Sequence, residues 1–227
     1  LVAGSLAGSN TAERVALSGV VGTGAPMAAL HRAITEAAPS ATIDWGEVQD
    51  FADPASQSYC RALDLVRPIA TPFGAPHRGF SLGIVGGRTT LVDGDPIVFR
   101  LTMPNFGAWL TLDYFSSDGS VAHLYPSPAR SAQEYGAGQT VVIGRKADWT
   151  VGPPYGRDMI LAIASASPLF ARPRPESETA DAYLAALKPA LATARAAGGR
   201  LDATTLLLET HPKRQVPVQP PTVAGRG

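Results

Sequence analysis

Gly94-Asp95-Pro96-Ile97-Val98-Phe99-Arg100-Leu101-Thr102-Met103 is a turn followed by a strand, and the reading of this stretch sets the fold. Ile97, Phe99, Leu101 and Met103 share one face, the period of two expected for a half-buried antiparallel strand. The pattern continues to residue 170, where Asp118-Gly119, Leu124-Tyr125-Pro126 and Gly152-Pro153-Pro154-Tyr155-Gly156-Arg157-Asp158 separate short apolar runs. Residues 80–85, 89–92, 97–103, 108–115, 121–125, 140–143 and 159–164 all read as strands, and Asp118-Gly119 between two of them signals a hairpin. Short strands with this many turns predict a sandwich or barrel.

On the N-terminal side the period changes. Arg14-Val15-Ala16-Leu17-Ser18-Gly19-Val20-Val21 reads as a strand ending in a Gly22-Thr23-Gly24 turn. Pro26 opens a helix with Met27, Leu30 and Ile34 on its apolar face, and Pro39 stops it. Residues 41–48 form a second strand and residues 59–66 a short helix closed by Pro68. The composition of residues 68–79, rich in Pro and Gly, marks a linker. Toward the C-terminus, Tyr183, Leu184, Leu187 and Leu191 fall at helical spacing, Ser177 or Thr179 can cap the start, and Gly198-Gly199 ends it. Pro189 inside that pattern predicts a kink or a split. Residues 203–210 are a last strand.

The fold class expected is α+β: a small N-terminal α/β (βαβα) module over residues 13–70, then an antiparallel β-sandwich over residues 78–212. The sandwich carries a packed C-terminal helix and strand, and a disordered Pro-rich tail covers residues 213–227. Residues 1–10 are small and weakly apolar, lack a basic leader and read as a linker. Because the chain opens on Leu, it is expected to be a fragment or processed product, with a catalytic domain upstream as one option.

Composition removes several functions. Nineteen basic residues balance nineteen acidic ones, so no net field draws the chain to nucleic acid or an anionic bilayer. The sequence has no apolar run of membrane-spanning length. Cys60 is the single cysteine, which excludes an internal disulfide and a cysteine-rich zinc site, and it is expected to be a buried small hydrophobe. His31, His77, His123 and His211 are scattered without metal-ligand spacing and read as surface or core-edge residues. Gly19-Val20-Val21-Gly22-Thr23-Gly24 lacks both the dinucleotide spacing and the Gly-Lys-Ser/Thr of a phosphate loop, so a plain turn is expected. No metal, organic cofactor or catalytic residue is predicted.

Two places carry candidate function. Asp44, Glu47, Asp50 and Asp53 form an acidic cluster that would serve a hydrolase with its carboxylates in a cleft between the modules, although a solvated strand edge is the plainer reading. The second is the loop ending at Asp158, where two prolines stiffen the backbone beside Tyr155 and Arg157. Tyr and Arg are the types that anchor interfaces, so Tyr155 and Arg157, with Tyr125, are the expected partner-binding residues.

Several motifs together resemble a bacterial domain of unknown function over about residues 80–170. They are Asp93-Gly94-Asp95, Asp118-Gly119 leading to His123-Leu124-Tyr125-Pro126, Gly136-Ala137-Gly138-Gln139, and Gly152-Pro153-Pro154-Tyr155-Gly156 before Met159-Ile160-Leu161-Ala162. Members of that family are attached to Ser/Thr protein kinases, caspase-like peptidases and envelope proteins. The resemblance implies a non-catalytic accessory, sensor or docking region that meets a protein or cell-envelope component, with an extracytoplasmic, periplasmic setting as one option. It supplies no catalytic residues, and the glycine-rich loop, His-Arg-Asp and Asp-Phe-Gly of a kinase are absent from the sequence.

Overall fold

The computed structural model describes residues 2–9, 12–22, 27–51, 57–70, 79–145 and 148–213. The chain begins with β1 (Val2–Ser9), β2 (Ala12–Gly22), α1 (Met27–Ala37), β3 (Thr42–Phe51) and α2 (Gln57–Val66). There follow β4 (Ser81–Ile84), β5 (Thr90–Val92), β6 (Phe99–Thr102), β7 (Ala108–Phe115), β8 (Ser120–Tyr125), β9 (Glu134–Tyr135), β10 (Thr140–Ile143) and β11 (Arg157–Ser165). The chain closes with β12 (Ser177–Thr179), α3 (Ala180–Ala196) and β13 (Leu201–His211). The fold is α+β with mostly strands and a C-terminal helix.

The N-terminal sheet has the order β1-β2-β3, with β2 parallel to β3 around α1. Residues 2–9, expected to be a linker, are a strand paired antiparallel with β2. Six of these eight residues are Gly, Ala or Ser, types with little strand signal, so the sequence does not announce the strand.

The larger part is built on the sheet β12-β8-β7-β11-β13-β5, with β9 joined to β7. Its even-numbered residues on β7 and β11, among them Leu110, Leu112, Ile160 and Ala162, pack against Phe99, Leu101, Ile84 and Ile143 of a second sheet ordered β10-β6-β4. Odd-numbered Phe115, Met159, Leu161 and Ile163 face α2 and α3 instead. The central strand β11 is therefore covered on both sides, which is why its sequence is an almost continuous apolar run instead of an alternation. Its neighbours β7 and β13 run antiparallel to it, while β13 and β5 pair in parallel.

Helix α2 shares its core with α3: Tyr59, Ala62, Leu63 and Val66 meet Tyr183, Leu184 and Leu187 over the sheet. Residues 57–70 thus lie in the helical layer of the larger sheet, although the sequence reading groups them with the first module. Thr179 caps α3, its Oγ1 accepting from the Ala182 N–H at 3.3 Å. Gly198 at φ +71° follows the last turn. The helix does not split at Pro189: that exposed residue lies opposite the buried stripe of Tyr183, Leu184, Leu187 and Leu191, whose packing spans both sides of it. Among the described residues no helix is long and apolar enough to cross a membrane.

Candidate functional site

The loop read from sequence as a binding surface is anchored from below. Asp158 is fully buried, and its two oxygens accept from the Ser117 N–H at 2.9 Å, the Tyr114 hydroxyl at 2.6 Å and the Thr210 hydroxyl at 3.0 Å. Burial pushes the Asp158 carboxyl up, against the pull of these three donors. Gly156 joins the anchor: its N–H donates to Thr210 Oγ1 at 3.0 Å and its carbonyl accepts from the Thr210 N–H at 2.7 Å. A Cβ at Gly156 would stand 2.8 Å from the Ser117 hydroxyl, so the close approach of the two turns requires glycine there.

Above this anchor Gly152, Pro153 and Pro154 are exposed, with the Pro153–Pro154 peptide cis. Arg157 is exposed, and its backbone carbonyl accepts from the Tyr59 hydroxyl at 2.9 Å. Tyr155 is half-buried against the sandwich core. Tyr125 is elsewhere: it pairs with Leu112 toward the far end of β7 from Phe115, which is opposite Met159 near the start of β11. It is 3% exposed, and its hydroxyl accepts from the Gln133 N–H at 3.0 Å. The structure brings Tyr155 and Arg157 together on one turn and places Tyr125 in the core, where apolar contact with Leu112 and Tyr135 outweighs its polar tip.

In the acidic cluster, Asp44 accepts from Arg14 at 3.0 Å on the surface. The side chains of Glu47 and Asp50, and the whole of Asp53, lie outside the described residues. His77 and residues 23–26 do too. His31 is exposed and stacked on Trp45, and His211 is exposed near Glu209. Cys60 is only partly buried, because it lies beside the face that Tyr59, Ala62 and Leu63 turn to the sheet.

His123 is the residue that sequence reasoning misplaced. It lies on β8 on the helix-facing side of the sheet and is 4% exposed. Its Nδ1 is 2.6 Å from Asp113 Oδ1 and its Nε2 is 2.9 Å from Glu178 Oε1. The Tyr183 hydroxyl donates to the other Asp113 oxygen, and the Tyr183 ring meets the imidazole edge to face at 4.8 Å. Arg174 donates to both Glu178 oxygens, at 2.7 and 2.5 Å, and lies over the Phe170 ring.

Burial alone would depress His123, but Asp113 and then Glu178 outweigh it and the net shift is upward. Burial raises Asp113 against the hydrogen bond and charge of His123. Burial would also raise Glu178, yet Arg174 and His123 hold it below its ordinary value. Beside the cluster is a cavity of ≈ 30 Å³ bordered by Trp109, Phe170 and Arg174. That is room for a water molecule or two and not for an organic substrate. The signal available in sequence was a charged Asp113 inside the apolar run Leu110-Thr111-Leu112-Asp113-Tyr114-Phe115, ten residues before His123 across a hairpin.

No curated protein and no solved structure matches the chain. Residues 90–168, which run from β5 through β11 and include Asp113, His123 and the loop at 152–157, match a family described as a domain of unknown function (DUF4384).

Proposed function

We propose that this chain is a non-catalytic accessory region of a larger bacterial signalling or envelope protein, and that it docks a protein or cell-envelope partner through the turn containing Tyr155 and Arg157. The observation that carries this reading is the anchoring of that turn. Asp158, Thr210 and Gly156 fix it to the sheet through bonds of 2.6 to 3.0 Å, so an exposed Arg157 and a half-exposed Tyr155 are held with little freedom to lose on binding. A rigid loop on a β scaffold is a common place for recognition. The match of residues 90–168 to a family of domains, together with the resemblance to domains attached to kinases, peptidases and envelope proteins, supports the accessory role.

The two buried carboxylates support it from the other side. Asp113 and Asp158 have every oxygen engaged, Asp113 by groups on β8 and α3 and Asp158 by donors on β7, the turn after it and β13, the arrangement of a structural network and not of a group waiting for substrate.

The test is a photoreactive phenylalanine placed at Tyr155 or Arg157 in the full-length protein in its own cells, with Val85 as an exposed control on the other sheet. Crosslinks to one discrete species from 155 and 157 and none from Val85 are expected. Crosslinking from Val85 as strong as from 155, or none from either loop position, would overturn the docking reading. Arg157→Ala is expected to leave the unfolding midpoint within a few degrees of wild type, since an exposed charge contributes little to stability. A larger fall would make Arg157 a brace for the fold.

A further inference from the structure

The contacts of His123 to Asp113 and to Glu178 exist together in one protonation state only. Both imidazole nitrogens face carboxylate oxygens, Nδ1 toward Asp113 at 2.6 Å and Nε2 toward Glu178 at 2.9 Å. Each contact needs a proton between its atoms, and a neutral imidazole carries a single N–H. Asp113, His123 and Glu178 therefore share two protons, which corresponds to an imidazolium between two carboxylates. Arg174 brings the cluster to charge balance, two positive groups against two negative ones.

If one proton leaves, a bare nitrogen lone pair faces a carboxylate oxygen, and one of the two contacts must open. Asp113 is fully buried on β7, a strand paired on both sides, and Tyr183 of α3 holds its second oxygen. Glu178 is partly exposed, lies on a three-residue strand at the sheet edge, and its other partner is Arg174 four residues earlier on the same segment. Among the described residues that segment is held by its pairing with β8, the bond from the His123 N–H to the Glu176 carbonyl, the cap that Thr179 makes on α3 and the Phe170 ring under Arg174.

We propose that residues 174–179 are a proton-gated latch: with His123 doubly protonated, β12 is closed on β8, and loss of one proton releases β12 and bares the β8 edge. The groups facing the histidine are Asp113 from β7, Glu178 from β12, Arg174 from the preceding segment and Tyr183 from α3. Burial and the Asp113 charge hold the Tyr183 phenol well above its ordinary value, so it remains a donor to Asp113 throughout. Because the folded His123 binds its proton more tightly than an unfolded histidine, the latch is closed below 6.5 and opens as pH rises above that value through the folded one. Helix α3 stays in place from Tyr183 onward, since Tyr183, Leu184, Leu187 and Leu191 fix it to the sheet, and only its first turn opens with the latch.

Amide hydrogen exchange on the full chain between pH 5.5 and 9, corrected for intrinsic rates, tests this. Two amides report the latch: the His123 N–H, which donates to the Glu176 carbonyl at 3.0 Å, and the Ala180 N–H, which donates to the Gly119 carbonyl at 3.0 Å. Both are expected to lose at least tenfold protection in one step above pH 6.5, while the β11–β13 ladder keeps its own. Protection at 123 and 180 that does not change with pH would overturn the proposal.

In Glu178→Gln the carboxamide turns to offer either oxygen or N–H to Nε2, so the step should vanish. A step surviving at the same midpoint removes Glu178 from the mechanism. The ring C–H shifts of His123 in the unmodified protein give a readout that needs no variant: their titration midpoint must coincide with the exchange step, and a separation of more than about one pH unit sinks the latch.

Discussion

Gly144 has a φ of +90° and no room for a side chain: a Cβ would stand 2.5 Å from the Ile97 carbonyl oxygen and 2.9 Å from the Trp149 ring. Gly119 has a similar φ of +84° but nothing within 4 Å. The pair separates conformational strain from collision. Gly119→Ala is expected to cost about 1 kcal/mol, the penalty of a left-handed backbone alone, and Gly144→Ala about 3 kcal/mol or more. Denaturant midpoints at unchanged slope measure both, and equal costs would show that the 144 turn yields. Asp158→Ala strands three donors, Tyr114, Ser117 and Thr210, and should cost about 2–4 kcal/mol. Thr210→Val removes one donor from the carboxylate, leaving it two, and takes the acceptor from the Gly156 N–H, so a loss of about 1–2 kcal/mol is expected. A Thr210→Val loss as large as that of Asp158→Ala would mean that the hydroxyl, and not the carboxylate, organises the site.

Among the elements, α3 makes the clearest test of packing against propensity. Pro189 deprives the helix of one backbone hydrogen bond at an exposed position, yet the helix runs from Ala180 to Ala196. Pro189→Ala is therefore expected to raise stability by about 1–3 kcal/mol in chemical denaturation. A loss of stability would show that proline is stiffening the unfolded chain more than it strains the helix. Elements made of apolar runs between turns were legible in the sequence: β7 and β10 fall at the residues read as strands, and Thr179 is the one of the two offered residues, Ser177 and Thr179, that caps α3. The strands that escaped are β1, six of whose eight residues are Gly, Ala or Ser, and β9 and β12, of two and three residues. Such strands have no period to read and exist because a neighbouring edge captures them.

At the scale of the whole molecule the same limit hides the buried cluster. Asp113, His123, Glu178 and Tyr183 come from β7, β8, β12 and α3, and an alternating strand does not say what will cover its second face. The helices that cover it lie at residues 57–66 and 180–196, before and after the strands in the chain. The turn at residues 152–158 was legible as a turn because its prolines, glycines and charged residues are contiguous. Tyr125 was misjudged because an aromatic beside a turn looks the same in sequence whether it points out or in.

The position of β13 has a consequence for how the protein is made. Residues 201–211 are wedged between β11 and β5, in the interior of the sheet. On a ribosome, everything from β4 to α3 emerges before that strand does. Until then β11 has an open edge and residues 90–92 have no sheet partner, so the domain cannot close during most of its own translation. A chain ended after Gly199 should therefore show no cooperative unfolding and rapid proteolysis, whereas one ended after Lys213 should melt like the full protein. A Gly199-terminated chain with an unchanged melting transition would refute this. The nascent polypeptide carries the most apolar run of its sequence, residues 159–164, as an unpaired edge for the longest time. Elongation speed between the end of β11 and the end of β13 is then a determinant of yield that no property of the finished fold reveals.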